Sequence, residues 1–343
     1  MTINKFKTFL EQTERPDKIR VLVISSGALK SKKKNPYKNP PIYHTASRFQ
    51  EEGKKLGVEV YVAQVEGAFI GFHEGVYKIY NQEDKEGFEI SSKDTIAIVR
   101  GTIRLKKSWL DLLSRLEKIG VCMVNSRDTV ELSSDKYRSY VRLQDFGLTQ
   151  PRTALISNKD AWKRAFESID LKYPCIMKTL EGSKGVGVLF IESERQMDSL
   201  VQLLFSQNED IDLLLQEYIK TDGDIRVIVL GGKVIASMKR EVIEGDFRSN
   251  ISQGAKAKEY PLTELEVEQC LLASKSIDGS WTAVDFIPSK NPKTEPPYIL
   301  EVNHSPGTEG IEEATGKKLL NIFLIQNIDT LFQVKLGFLK LLI

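Results

Sequence analysis

Short apolar runs alternate with stretches of helical spacing through the first third of the chain, and this alternation restricts the fold more than any other feature. The run 18–25 (KIRVLVIS) reads as a buried parallel strand that follows a charged N-terminal helix. Helical spacing is predicted over 46–56, a second strand over 58–62, a third over 95–99, a helix over 109–119 and a fourth strand over 121–124. Such strand–helix–strand alternation predicts a small doubly wound α/β domain over residues 1–130. Residues 71–92 interrupt the pattern and read as a hairpin or an insertion.

Beyond that point the pattern changes to α+β. A helix is predicted over 135–145, after which Pro151-Arg152-Thr153 opens a new unit. A helix over 160–167 and strands over 175–178 and 188–191 flank a glycine-rich hairpin, and a helix over 192–205 follows. This smaller unit is expected to span 131–208. Strands dominate the larger unit, 209–316, with runs at 213–218, 225–230, 233–239, 281–287 and 298–303 and a helix over 262–276. The tail 317–343 is apolar and reads as a core or oligomer-packing helix, with a membrane-surface helix as the alternative.

A length of 343 residues suits two or three compact units in one body. With 41% apolar and 28% charged residues the composition is that of a globular protein. A net charge of +2 gives no reason to expect nucleic acid or an anionic membrane as the main partner. Cys122, Cys175 and Cys270 are far apart in the sequence, which fits buried thiols in a reducing, cytoplasmic setting rather than a disulfide framework. His44, His73 and His304 are not spaced for zinc. The charged N-terminus lacks the apolar core of a signal peptide, and no charge-free run is long enough to span a bilayer.

Four features carry chemistry. Glu301 and Asn303 share one face of a strand, and Asp285 can join them if its own strand pairs with theirs. Two carboxylates and an amide oxygen form a hard donor set suited to Mg²⁺ with nucleotide phosphates, and a carboxylate among apolar neighbours needs a partner. Lys178 ends a strand just before Gly182-Ser183-Lys184-Gly185-Val186-Gly187, where glycines let backbone N–H groups approach a phosphate. The hairpin is neither a Walker A loop nor a Rossmann fingerprint, and by itself it reads equally well as a tight turn. Gln216-Glu217-Tyr218-Ile219 leaves a strand and offers backbone groups and Glu217 to an adenine edge, or is simply a strand end. Arg226, Arg240 and the loop Arg248-Ser249-Asn250 suit bidentate contact with carboxylate or phosphate, although a loop arginine is as often only solvated.

Taken in order, these strings resemble RimK-type ATP-grasp ligases, the group that includes the ribosomal-protein glutamate ligase. The resemblance rests on the Lys178–Gly187 hairpin, Gln216-Glu217-Tyr218-Ile219-Lys220, Gly223-Asp224-Ile225-Arg226, Gly245-Asp246-Phe247-Arg248-Ser249-Asn250 and Glu301-Val302-Asn303-His304-Ser305-Pro306-Gly307 with the residues up to Glu312. It covers residues 135–316, and residues 1–130 match only as a pre-ATP-grasp domain. It implies that two ATP-grasp subdomains clamp ATP. Lys136 and Lys178 would hold phosphates together with Gly182, Ser183, Gly185 and Gly187. Glu217, Tyr218 and Ile219 would contact adenine, and Asp224 the ribose or nucleotide. Arg248, Ser249 and Asn250 would lie beside the phosphates and the acceptor, with Arg248 also a catalytic group. Asp285, Glu301 and Asn303 would bind two Mg²⁺ or Mn²⁺ ions, while Arg226 and Arg240 would stabilise the acylphosphate region as catalytic groups. The chain departs from the family pattern at His304, where a small residue is usual, in a shorter 217–224 linker, in a longer 289–297 hairpin and in its tail.

The implied reaction joins an amino acid, glutamate by resemblance, to a protein or peptide carboxylate through an acylphosphate. The alternatives are a small-molecule or carrier-linked acceptor, or a non-catalytic ATP-binding protein. The lysines between 30 and 38 could meet an acidic protein tail or only solubilise the loop. A homo-oligomer is compatible with the apolar tail.

Overall fold

The computed structural model describes residues 19–25, 44–101, 107–180, 187–242 and 256–327. The expected N-terminal helix, the 30–38 loop and the tail beyond 327 lie outside the described residues. The chain divides into two units, Met1–Val130 with Lys318–Ile343, and Glu131–Lys317.

In the first unit β1 (Arg20–Ser25), α1 (His44–Lys55) and β2 (Glu59–Gln64) are followed by three short strands, β3 (Phe69–His73), β4 (Val76–Tyr80) and β5 (Phe88–Ile90). Then come β6 (Thr95–Arg100), α2 (Lys107–Ile119) and β7 (Cys122–Val124). The main sheet has the order β2-β1-β6-β7 and every neighbouring pair is parallel. Each residue of β6 is buried, as expected for a parallel strand covered on both faces. The interrupting segment forms the antiparallel sheet β3-β4-β5. Its Ile79, Phe88 and Ile90 join Leu22, Ile24 and Val99 in one core. Alternation did not identify these strands because the open face is also apolar: exposed Phe69 stacks on Tyr80, and exposed Phe72 leans on Tyr77. Residues 319–327 are helical, and Phe323 meets Phe49 of α1 edge-on at 5.7 Å.

Helix α3 (Arg127–Ser134) runs across the division. In the second unit α4 (Lys136–Asp145) starts at Asp135, whose carboxylate accepts hydrogen bonds from the backbone N–H groups of Tyr137 and Arg138. Next come β8 (Thr153–Ile156), α5 (Trp162–Ser168), β9 (Cys175–Thr179), β10 (Val188–Ile191), α6 (Glu194–Gln207) and β11 (Leu213–Glu217). These strands form an antiparallel sheet of order β10-β9-β11-β8. The expected division at 208 leaves β11 with the larger piece, whereas hydrogen bonding seats it here between β9 and β8. Alternate residues Cys175, Met177, Leu213 and Leu215 pack on Trp162, Met197 and Val201, leaving Ile176, Lys178 and Gln216 on the other face.

The remaining strands are β12 (Gly223–Leu230), β13 (Lys233–Glu241), β14 (Ala257–Glu259), β15 (Trp281–Ile287) and β16 (Tyr298–Asn303), with α7 (Glu264–Ser276) and α8 (Glu309–Thr315). Their antiparallel order is β14-β13-β12-β15-β16. A capping box between Thr263 and Glu266 starts α7, which covers one face of the sheet through Cys270 and Ala273. Ile225, Val227, Val284, Phe286, Ile299 and Val302 point into that core. No helix among the described residues is long and apolar enough to cross a membrane.

Candidate functional site

The face of the five-stranded sheet turned away from α7 carries the charged residues. Asp224 and Arg226 alternate with the core residues of β12, and Asp285 alternates with those of β15. Cross-strand register sets Arg226 opposite Asp285, Asp285 opposite Glu301 and Asp224 opposite Arg240. A bulge in β16 arranges the last part: Asp285 pairs with Glu301 and Phe286 with Ile299, so Leu300 is passed over. Strict alternation would put Ile299, Glu301 and Asn303 on one face. The extra residue lets Ile299 and Val302 share the core while Glu301 and Asn303 join Asp285.

Asp285 is 2% exposed. Its Oδ1 accepts from Arg226 Nε at 2.8 Å and its Oδ2 from Arg226 Nη2 at 2.6 Å. Arg240 Nη2 lies 3.0 Å from the same Oδ2. Burial alone would raise the Asp285 pKa, but the charges of Arg226 and Arg240 outweigh it and hold the carboxyl well below the usual carboxylate range. Arg240 also donates to both oxygens of buried Asp224. Glu301 is different, with a side chain 43% exposed. Asn303 Nδ2 donates to Glu301 Oε1 at 2.9 Å, which turns the amide oxygen of Asn303 away from that carboxylate. Three carboxylates thus face two guanidiniums, and Glu301 with Asn303 forms the accessible side of the group. Accessible hard oxygen donors fit a divalent cation in kind.

Lys178, on the outer face of β9, feels the charges of Glu301 and Lys136. Its Nζ donates to Gln216 Oε1 at 2.6 Å. Burial, with Lys136 adding to it and Glu301 opposing, lowers the Lys178 pKa to about 8. Lys136, the first residue of α4, donates from Nζ to the carbonyl of Leu180 at 2.9 Å. Two ammonium groups brought together suit a polyanion. Gly187 closes the hairpin at φ +79, its carbonyl accepting from Thr179 N at 3.0 Å, and a Cβ there would come within 2.3 Å of Thr179 Oγ1.

At the end of β11 the Glu217 side chain pairs with Arg152: Oε1 lies 3.0 Å from Nη2 and Oε2 lies 3.1 Å from Nε. These hydrogen bonds lower the Glu217 pKa, with burial opposing. Glu217 N in turn donates to the Arg152 carbonyl at 2.9 Å. Half-buried Tyr218 stands edge-on to Phe190 at 5.0 Å. Beyond β16, buried His304 holds Ser133 Oγ at 2.9 Å through Nδ1.

A family model described as a RimK-like ATP-grasp domain matches residues 133–328. A relative from Pseudoalteromonas translucida described as a probable alpha-L-glutamate ligase is 33% identical over 290 residues, 84% of this chain and 92% of the relative. The chain belongs to the RimK-like ATP-grasp family. A second relative with the same description, from Psychromonas ingrahamii, is 37% identical over 207 residues, 60% of this chain and 66% of the relative. Among solved structures, the ATP-grasp ligase PsnB complexed with minimal precursor, Mg and ADP shares the fold, with a TM-score of 0.60, 18% identity and coverage of 91% of this chain and 97% of that one. The protein is accordingly an ATP-grasp carboxylate–amine ligase of α+β fold.

In this ATP-grasp ligase, Asp285, Glu301 and Asn303 share one sheet face with Asp224, Arg226 and Arg240, and Lys178 lies within electrostatic reach of Glu301 and Lys136. Gly182, Ser183 and Gly185, like Arg248, Ser249 and Asn250, lie outside the described residues. In the sequence, Arg152 and Thr153 are marked by nothing beyond the Pro151-Arg152-Thr153 string, because four residues of an edge strand are too few to show alternation.

Proposed function

We propose that this ligase binds ATP with Mg²⁺ or Mn²⁺, two ions in the full complex, and joins an amino acid, glutamate, to a protein or peptide carboxylate. The observation that carries the reading is geometric: accessible Glu301 stands opposite Asp285 on one sheet face, and Lys136 Nζ is held 2.9 Å from the carbonyl of Leu180, just past β9, the strand that carries Lys178. The glutamate assignment is supported by relatives described as alpha-L-glutamate ligases. The peptide acceptor is supported by PsnB, solved with a minimal precursor.

The small sheet, ending with β11 at Glu217, and the five-stranded sheet are taken as the two ATP-grasp subdomains, with residues 1–130 as the pre-ATP-grasp domain. Lys136, Lys178 and the hairpin Gly182, Ser183, Gly185 and Gly187 hold the phosphates. The Glu217 side chain is committed to Arg152 and its N–H to the Arg152 carbonyl, so the Glu217 carbonyl and the backbone of Tyr218 and Ile219 are left to meet adenine. Asp224 acts on the nucleotide through Arg240, which it holds in place. Asp285, Glu301 and Asn303 hold the cations, which when bound offset phosphate charge. Arg226 and Arg240, fixed by Asp285, are preorganised for the negative charge that develops on the acyl group. Arg248, Ser249 and Asn250 are assigned, by the resemblance alone, to the phosphates and the acceptor. In the reaction a carboxylate oxygen of the acceptor bonds to the γ-phosphorus as the bond to ADP breaks. The amine then bonds to the acyl carbon, phosphate leaves and the amine proton is lost. The positioned groups supply orientation and charge neutralisation.

The test is mass spectrometry of protein, peptide and small carboxylates incubated with the enzyme, ATP, Mg²⁺ and a mixture of amino acids. Glutamyl additions of 129 Da on a polypeptide, roughly the mass of one condensed residue, support the reading. Product formed only on a small carboxylate overturns the acceptor assignment, and absence of ADP formation with every acceptor overturns the reaction.

A further inference from the structure

Lys178 reaches its place through a chain of hydrogen bonds whose direction is fixed at every link. Thr153 Oγ1 donates to the carbonyl of Pro151 at 2.9 Å and its side chain also hydrogen-bonds Tyr140, so its only proton is committed away from Gln216. The Thr153 oxygen can then only accept, and Gln216 Nε2 donates to it at 2.8 Å. This sets the Gln216 amide: with its nitrogen on Thr153, its Oε1 must face the other way, where Lys178 Nζ donates to it at 2.6 Å. Gln216 and Thr153 are directly opposed on β11 and β8, and both are buried, at 6% and 8% exposure. Lys178 on β9 is diagonal to Gln216, across the Leu214–Lys178 and Gln216–Ile176 pairs.

We propose that Gln216 is a positioning residue that holds the Lys178 ammonium in its phosphate-binding place, with Thr153 orienting the Gln216 amide. The proposal rests on reading Lys178 as a phosphate contact. An ammonium has three donors on a flexible stem. Gln216 takes one, so the lysine is restrained before the ligand arrives and the other two donors are left for phosphate oxygens. Restraint in the bound position removes an ordering cost from binding. A chain of aligned bonds also polarises Gln216 Oε1 toward the cation, which helps a desolvated ammonium to stay charged.

The experiment is calorimetric titration of the full chain with ADP in the absence of divalent ions, for wild type, Gln216→Leu, Thr153→Val, Thr153→Ser, Lys178→Met and the two doubles that combine Lys178→Met with Gln216→Leu or Thr153→Val. The expected result is about tenfold weaker ADP binding for Gln216→Leu, several-fold weaker for Thr153→Val and wild-type affinity for Thr153→Ser. In the Lys178→Met background neither Gln216→Leu nor Thr153→Val should weaken ADP further. If Lys178→Met weakens ADP but Gln216→Leu weakens it equally in both backgrounds, Gln216 does not act through the lysine and this inference alone is overturned. If Lys178→Met binds ADP like wild type, the reading of Lys178 as a phosphate contact falls, and this inference with it. Thr153→Val carries the same comparison if Gln216→Leu does not fold.

Discussion

Lys178 combines the charge that its proposed phosphate contact calls for with surroundings that disfavour it. Burial and Lys136 lower its pKa to about 8 against the partial support of Glu301. Below that pH the folded protein carries a partly desolvated ammonium. This cost is fully present below about 8 and fades as pH rises toward the unfolded value near 10.5. Lys178→Met should therefore melt higher than wild type at pH 7, by roughly 2–4 °C, while binding nucleotide more weakly. A lower melting temperature for this variant would contradict that account. Nucleotide affinity should fall as pH rises through 8, where the ammonium loses its proton. Phosphate pulls that pKa upward, so binding at pH 8 should take up protons, measurable by calorimetry in buffers of different ionisation enthalpy. Glu301 makes the opposite case, since its exposed side chain has no core role. Glu301→Ala should keep the wild-type melting temperature and lose on the order of 10²-fold or more in ligation rate. Near-full ligation by that variant would refute the metal assignment.

At the scale of elements, the bulge at Leu300 and the close approach at Gly187 both shape the site. The first turns Glu301 and Asn303 toward Asp285 while Ile299 stays in the core. The second joins β9 to β10 with the hairpin between them. Gly187→Ala would add strain at φ +79 and a clash with Thr179. The expected outcome is a loss of about 1–3 kcal/mol in denaturant unfolding, together with weaker nucleotide binding. Arg240 ties β13 to β12 and β15 by meeting Asp224 and Asp285. Arg240→Leu leaves two buried carboxylates short of a partner and should cost about 3–5 kcal/mol, read as a lower urea midpoint. An unchanged midpoint would mean that the network relaxes or takes up water.

For the whole molecule, ligand linkage gives the broadest test. The family match at 133–328 covers most of the second unit, and the P. translucida relative extends the likeness to 84% of the chain. ADP with Mg²⁺ at 100 times its dissociation constant should stabilise the fold by about 2.7 kcal/mol. Chelation of the metal should remove part of that gain. Slower amide exchange is expected in β9, β11 and β16 when ADP and Mg²⁺ are present. Protection confined to the first unit would place the nucleotide elsewhere. Alternation and spacing alone indicated the parallel sheet of the first unit and most strands of the second, because buried strands and helices must repeat their apolar residues at fixed periods. They also put Glu301 and Asn303 on one face, since side chains alternate along a strand. Tertiary structure decided the rest. Only strand register shows that Asp285 is held by Arg226 and Arg240, that Glu217 is taken by Arg152, and that Gln216 stands between Thr153 and Lys178. Those partners lie 38 to 65 residues apart in the chain, so no local period records them, and only the folded sheet brings them within hydrogen-bond distance.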